Sequence, residues 1–216
     1  MTKAQLQIDQ ELSLEQKILK SKELVKSYYE EHNGAMSVAY SGGKDSRVVL
    51  HLVRSLYPDI IGVFCNTTNE KKEILEYVKN TQNIKTLLPK KGFIRVMKED
   101  GFPMISKRVC KQINALKYPT DNNATIRNLY LTGFTALGRY LPKERVAKKW
   151  RFLENEPFEV TAKCCEVLKH EPARRFEKES GLVPITGLMA VESSQRESHI
   201  IKNGYIDNNL RMSLLS

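Results

Sequence analysis

Apolar positions near the start of the chain recur at close to 3.6 residues. Leu14, Ile18, Val25 and Tyr28 share one face, and Ser13 with Gln16 three positions on makes a capping box. The first thirty or so residues therefore predict helix, stopped by His32-Asn33-Gly34. A short apolar run, Ala35-Met36-Ser37-Val38-Ala39-Tyr40, reads as a buried strand. After Ser41-Gly42-Gly43-Lys44-Asp45-Ser46, the residues Val48, Val49, Leu52, Val53 and Leu56 define one helix face. The order is strand, glycine turn, helix. It repeats in the apolar run 60–65, polar Asn66-Thr67-Thr68-Asn69 and a helix pattern through Ile74, Leu75 and Val78. Residues 84–88 and Val183-Pro184-Ile185-Thr186-Gly187 predict further strands, and 190–201 a last helix. Successive strand-to-helix units imply parallel strands joined by right-handed crossovers. The expected fold is an open, mostly parallel α/β sheet with helices on both faces, which takes ligands at the carboxyl ends of its strands.

From 107 to 179 the pattern is mostly helical, with breaks near Tyr118-Pro119, Gly133, Pro142 and Glu156-Pro157. No Gly/Ser-rich linker and no repeat appears, so no second domain is expected. A length of 216 residues with 41% hydrophobic composition fits one globular domain. No apolar run approaches the roughly 20 residues that cross a bilayer, and the first residues lack the apolar centre of a secretory signal. The expected place is the cytoplasm, with no membrane partner.

Charge adds a partner class. Lys and Arg number 35 against 25 Asp and Glu, a formal net charge of +10, which favours an anion such as a nucleotide or a nucleic acid backbone. Residues 85–117 hold nine basic residues against Glu99 and Asp100, a balance of +7 that suits either a solvated face or an anion-binding surface. Cys65, Cys110, Cys164 and Cys165 are too few and irregular for a disulfide framework, which leaves reduced thiols or metal ligands. Cys164 and Cys165, with a Lys soon after on a helical pattern, are expected to be thiolate-rich. The four His have no metal-ligand spacing, and the lone Trp150 suits packing better than base stacking.

Gly42-Gly43 permits a turn with unusual dihedrals and a close approach of backbone to ligand. A helix starting near Asp45 would offer unpaired N–H groups to an anion. Ser41 and Ser46 add hydroxyls and Lys44 a charge. A plain strand-to-helix turn with Asp45 as N-cap would use the same glycines without a ligand. Asn66 and Thr67 fit either a nucleotide contact at a strand's carboxyl end or a cap for the helix beginning near Lys71. Glu192 and Arg196, four apart, fit a surface ion pair or a site.

The whole string Ser41-Gly42-Gly43-Lys44-Asp45-Ser46 after a strand resembles the SGGxDS pyrophosphate loop of the PP-loop, or adenine nucleotide alpha-hydrolase-like, superfamily. Four ordered segments resemble its phosphoadenosine phosphosulfate (PAPS) reductase-like members. Asn66-Thr67 with Glu70 is similar to "NTGxE", and Gly101-Phe102-Pro103-Met104-Ile105-Ser106-Lys107 to "GyPviSk". Cys164-Cys165-Glu166-Val167-Leu168-Lys169-His170-Glu171-Pro172 is similar to "CCxxLKxxP", and the stretch from Gly187 to Arg196 to "GtmAxESxxR".

This resemblance implies a Rossmann-like domain at 35–204, preceded by a helical segment at 1–34 and followed by a short tail at 205–216. It implies ATP, with Mg²⁺, or PAPS as the nucleotide, bound by Ser41, Gly42, Gly43, Lys44, Asp45, Ser46, Asn66, Thr67, Glu192 and Arg196. It implies sulfonucleotide reduction or ATP-dependent sulfur or adenylyl transfer, with Lys44, Asp45, Arg196, Cys164 and Cys165 as catalytic groups and a thiol reductant or sulfur donor as partner. Cys164 and Cys165 would be partial ligands of an iron–sulfur cluster. Gly204-Tyr205-Ile206 stands where relatives carry Gly-Cys-Asn, and no Cys follows Cys165. The chain also stops short of the tail that holds the catalytic thiol of assimilatory reductases, as expected of a truncated phage or mobile-element copy. A non-catalytic nucleotide- or DNA-associated protein, in a setting like DNA phosphorothioation, is the alternative, and the basic surface would suit nucleic acid.

Overall fold

The computed structural model describes residues 1–205 and the short strand Met212–Ser213. In chain order its elements are α1 (Lys3–Glu11), α2 (Leu14–Glu31), β1 (Met36–Ala39), α3 (Lys44–Arg54), β2 (Gly62–Cys65), α4 (Lys72–Asn80), β3 (Ile84–Leu87), α5 (Phe93–Glu99) and α6 (Lys107–Lys117). Then come α7 (Ala124–Thr132), α8 (Glu171–Ser180), β4 (Val183–Thr186), α9 (Ser194–Asn203) and β5 (Met212–Ser213). The single opening helix expected from periodicity is two helices. Ser13 is the reason: its Oγ accepts from the Gln16 N–H at 3.3 Å while Gln16 Oε1 accepts from the Ser13 N–H at 2.9 Å, so a new helix starts there. The tail expected at 205–216 lies, from residue 206 on, outside the described residues apart from β5.

All strand pairings are parallel, in the order β3-β2-β1-β4-β5. Val38 is opposite Gly62 and Met36 opposite Val183, so β1 lies between β2 and β4. The chain moves from β1 to β3 in one direction and then resumes on the other side of β1. The strand order therefore reverses between β1 and β4, and their carboxyl ends diverge into a crevice. The right-handed rule for parallel crossovers assigns α3 and α4 to one face of the sheet and α9 to the other. A strand covered on both faces has few polar positions to spare, and Met36, Ser37 and Val38 are all buried. Around them pack Val25 and Tyr28 of α2, Val49, Leu50 and Val53 of α3, Phe64, Val78 and Ile185. The fold is the expected Rossmann-like α/β sheet.

The chain divides into two compact units, Met1–Leu88 with Glu171–Ser216, which holds the sheet, and Pro89–His170, which holds α5, α6 and α7. No Gly/Ser-rich linker flanks this division. The Pro89–His170 unit has its own core, in which Val109, Cys110, Ile113 and Leu116 of α6 pack with Val146, Leu153 and Val160. Its later part is less helical than its apolar spacing predicts. Gly133, at φ +86, ends α7, and Phe134 then bridges to Tyr140. Two 3₁₀ stretches, Pro142–Glu144 and Lys148–Glu154, follow. No helix among the described residues is long and apolar enough to cross a membrane.

The sheet core generates a stability prediction. Ile185, at 0% exposure in β4, loses most of its side chain in Ile185→Ala, and the cavity left in the sheet core should cost about 2–5 kcal/mol. Urea denaturation measures this, and a loss under about 1 kcal/mol would place Ile185 outside the core.

Candidate functional site

The crevice holds a cleft of about 210 Å³ lined by Ala39, Ser41, Gly43, Asp45, Ser46, Gly187, Leu188, Glu192 and Arg196. Its floor and one wall come from β1 and the first turn of α3; its other wall comes from the segment after β4. Gly42 has φ +74, and a Cβ there would lie 3.2 Å from Ile74 Cγ2 of α4, so both backbone and space require glycine. Gly43 is the N-cap of α3 and has no side chain to accept a hydrogen bond. Asp45, the alternative cap, lies instead within the first turn of the helix. The backbone N–H groups of Lys44, Asp45 and Ser46 consequently find no acceptor among the described residues. Three donors at the positive end of a helix, opening on a polar cleft, form a receptor for an anion.

The two serines hold this turn in shape. Ser46 Oγ donates to the Gly43 carbonyl at 2.9 Å and accepts from the Ser41 N–H at 3.2 Å; Ser41 Oγ lies 3.2 Å from it and accepts from the Gly43 N–H at 3.3 Å. Their hydroxyls are committed to the loop before any ligand arrives. Across the cleft, Glu192 accepts from the Met189 N–H at 3.2 Å and pairs with the Arg196 guanidinium. Ser193 caps α9 by accepting from the Arg196 N–H. Arg196 thus lies in the first turn of α9 with its charge held by Glu192, and 40% of its side chain is exposed.

The other residues singled out in the sequence are distributed differently. Lys44 is exposed on α3 and does not line the cleft. Asn66 and Thr67 leave β2 at its carboxyl end but are engaged locally. Asn66 Oδ1 accepts from the Thr68 N–H at 2.9 Å, and Thr67 Oγ1 donates to Glu70 Oε1 at 2.7 Å. Neither caps α4, whose N-cap is Lys71 without a side-chain bond. Cys164 and Cys165 belong to the Pro89–His170 unit, just before the π-helical turn Glu166–His170. Their sulfurs are 4.0 Å apart and both thiols are free. Burial, reinforced by the neighbouring Cys165, pushes the Cys164 thiol above the ordinary range, the reverse of the expected thiolate character. Burial does the same to Cys110, whose Sγ donates to the Met104 carbonyl.

A four-cysteine cluster needs more donors than this. No group of three or more His, Cys, Asp or Glu among the described residues is arranged to hold a metal, so the residues present do not fit an iron–sulfur cluster. Sequence reasoning missed Gly187 and Leu188 as part of the cleft. A Cβ on Gly187 would meet Val49 Cγ2 at 3.2 Å and the Asp45 carbonyl at 3.4 Å. A glycine closing a predicted strand run, as glycines follow the run that ends at Tyr40, was the available signal.

Comparison with known proteins agrees with this geometry. Residues 35–99, which carry β1, the loop, α3, β2, α4 and β3, match the family model described as phosphoadenosine phosphosulfate reductase domain. Over this stretch the chain is similar to PAPS reductase domains. Two uncharacterized proteins of Methanocaldococcus jannaschii are similar to it. One is 26% identical over 146 residues, covering 63% of this chain and 36% of its own length. The other is 37% identical over 98 residues, covering 43% of this chain and 20% of its own length. The chain thus spans about a third and a fifth of the lengths of these relatives.

Two outcomes are expected here. Gly42→Ala, forced to keep a left-handed backbone beside Ile74, should lose more than about 1 kcal/mol, read as a lowered denaturation midpoint. Alkylation of Cys164, followed by mass spectrometry across a pH series, should reach half its maximal rate above the pH of an unperturbed thiol. A midpoint below that of the free amino acid would show that burial does not govern this thiol.

Proposed function

We propose that the protein binds an adenine nucleotide by its phosphate chain at residues 41–46, and that it acts on ATP at the alpha phosphorus as an adenylyl- or sulfur-transfer enzyme. The observation that carries this is the set of unaccepted N–H groups at the start of α3, with Asp45 and Ser46 lining one cleft with Arg196. These donors are fixed before the ligand binds, and fixed donors stabilise developing charge without reorganisation. At about 210 Å³ the cleft is smaller than the roughly 300–1,000 Å³ of sites that enclose a whole drug-sized molecule. The phosphates would occupy it while the adenosine extends beyond.

In the reaction an acceptor nucleophile forms a bond to the alpha phosphorus, and the bond from that phosphorus to the bridging oxygen breaks. Pyrophosphate leaves with the electron pair, and its charge falls on the N–H groups and Arg196. Mg²⁺ would enter as part of the ATP substrate and neutralise its phosphates. Asp45, a carboxylate lining the cleft without an ion pair among the described residues, is the group to meet it. Sulfonucleotide reduction from PAPS would need a thiolate, which burial opposes at Cys164.

Nuclear magnetic resonance tests the carrying observation directly. Adding Mg–ATP should shift the backbone amide signals of Lys44, Asp45 and Ser46, and Arg196→Gln should weaken calorimetric binding about tenfold or more. Amides unmoved by saturating ATP and by PAPS would remove the proposal. Release of pyrophosphate from ATP supports transfer at the alpha phosphorus. Formation of adenosine 3′,5′-bisphosphate from PAPS, with no pyrophosphate from ATP, would reassign the enzyme to sulfonucleotide reduction.

A further inference from the structure

The net charge is confined to one part of the molecule. The Pro89–His170 unit holds seventeen Lys and Arg against eight Asp and Glu, a balance of +9, while the unit with the sheet holds eighteen against seventeen, a balance of +1. In the run of basic residues most evident in the sequence, 85–117, three of the nine make ion pairs. Lys91 pairs with Glu99 at 2.8 Å and Asp100 at 3.3 Å, Arg95 with Glu99, and Lys117 with Glu159 at 3.1 Å. The Glu99 carboxylate holds the Lys91 and Arg95 groups protonated to higher pH than usual.

The stretch 139–151 carries its charge among exposed rings. It carries six basic residues and one acidic, Glu144. Arg139, Lys143 and Lys148 are exposed and make no ion pair among the described residues. Interleaved with them are exposed rings: Phe134 at 47%, Tyr140 at 51% and Phe152 at 53% exposure. Phe134 and Tyr140, joined by the bridge after α7, hold their rings 4.8 Å apart. None of the three rings belongs to the buried core of this unit; Phe134 and Tyr140 pack on each other, and each of the three keeps about half of its surface in water.

We propose that the Pro89–His170 unit binds single-stranded nucleic acid along residues 134–152. Arg139, Lys143 and Lys148 meet phosphates, and Phe134, Tyr140 and Phe152 stack on bases. An acidic protein would use the charge but has no systematic use for the rings. A duplex keeps its bases stacked on each other and away from them. A single strand uses both, because every base has a π-face and every linkage a phosphate. The inference rests on charge and exposure in this unit and is independent of the nucleotide reading.

The intact protein is titrated with a labelled single-stranded oligonucleotide of mixed sequence, as DNA and as RNA, over a range of salt. Binding to either strand, weakening linearly on a log–log plot against salt, is expected. Lys143→Ala with Lys148→Ala, both at exposed positions, should lower the slope by about 1.4, since each phosphate contact on a single strand contributes about 0.7. Phe152→Ala and Tyr140→Ala should each weaken binding about fivefold or more with the slope unchanged. Ser46→Ala, which disturbs the nucleotide loop, should leave oligonucleotide binding intact, so that the two proposals fail separately. The proposal is overturned by absence of binding at low salt, by a duplex or polyglutamate binding as tightly as the single strand, or by indifference to the ring substitutions.

Discussion

A helix that begins after glycine has donors and nothing of its own to give them. In most helices a serine, threonine or aspartate closes the first turn; α3 has Gly43 there, so the amides of Lys44, Asp45 and Ser46 stay open. The rest of the sheet unit positions that opening. Burial of β1 on both faces fixes where the turn emerges, the strand order puts it beside the end of β4, and Ser41 and Ser46 lock its shape without using its outward donors. The glycine cap is less stabilising than a side-chain cap would be, and the difference remains available to whatever anion binds.

Much of this was legible from pattern. The strands begin and end within two residues of their predicted runs; β1 and β2, buried over most of their length, have to be largely apolar over a length that turns then bound. Ser13 and Gln16 announced a helix start, and that start divides the first thirty residues, which the helical reading had run together. The division into two units was not legible. It depends on which side chains of α6 pack with Val146, Leu153 and Val160, and apolar spacing there is met by 3₁₀ turns as readily as by an α-helix.

The site was legible in its loop and less so in its surroundings. Whether Asn66 and Thr67 face a ligand or their own backbone depends on torsions that residue type does not fix. Here both are occupied by the turn they belong to. Thr68, where the similar family string has glycine, takes a left-handed backbone at φ +64, and the Asn66 side chain helps hold it there. The cysteines teach the opposite lesson. A helical neighbourhood with a lysine reads as electropositive, but burial outweighs a charge that is not in contact, and the Cys164 thiol moves upward.

The width of the crevice is set by an absent methyl group. Gly187 lets the chain leaving β4 lie against Val49 and the carbonyl of Asp45, at distances any larger residue would have to enlarge. The jaws of the cleft are therefore spaced by main chain, which hardly yields, instead of by side chains, which can rotate aside. A relative carrying alanine or serine at this place would have a wider gape with every contacting group retained, so this one position offers a means of altering which anion is held without altering the groups that hold it.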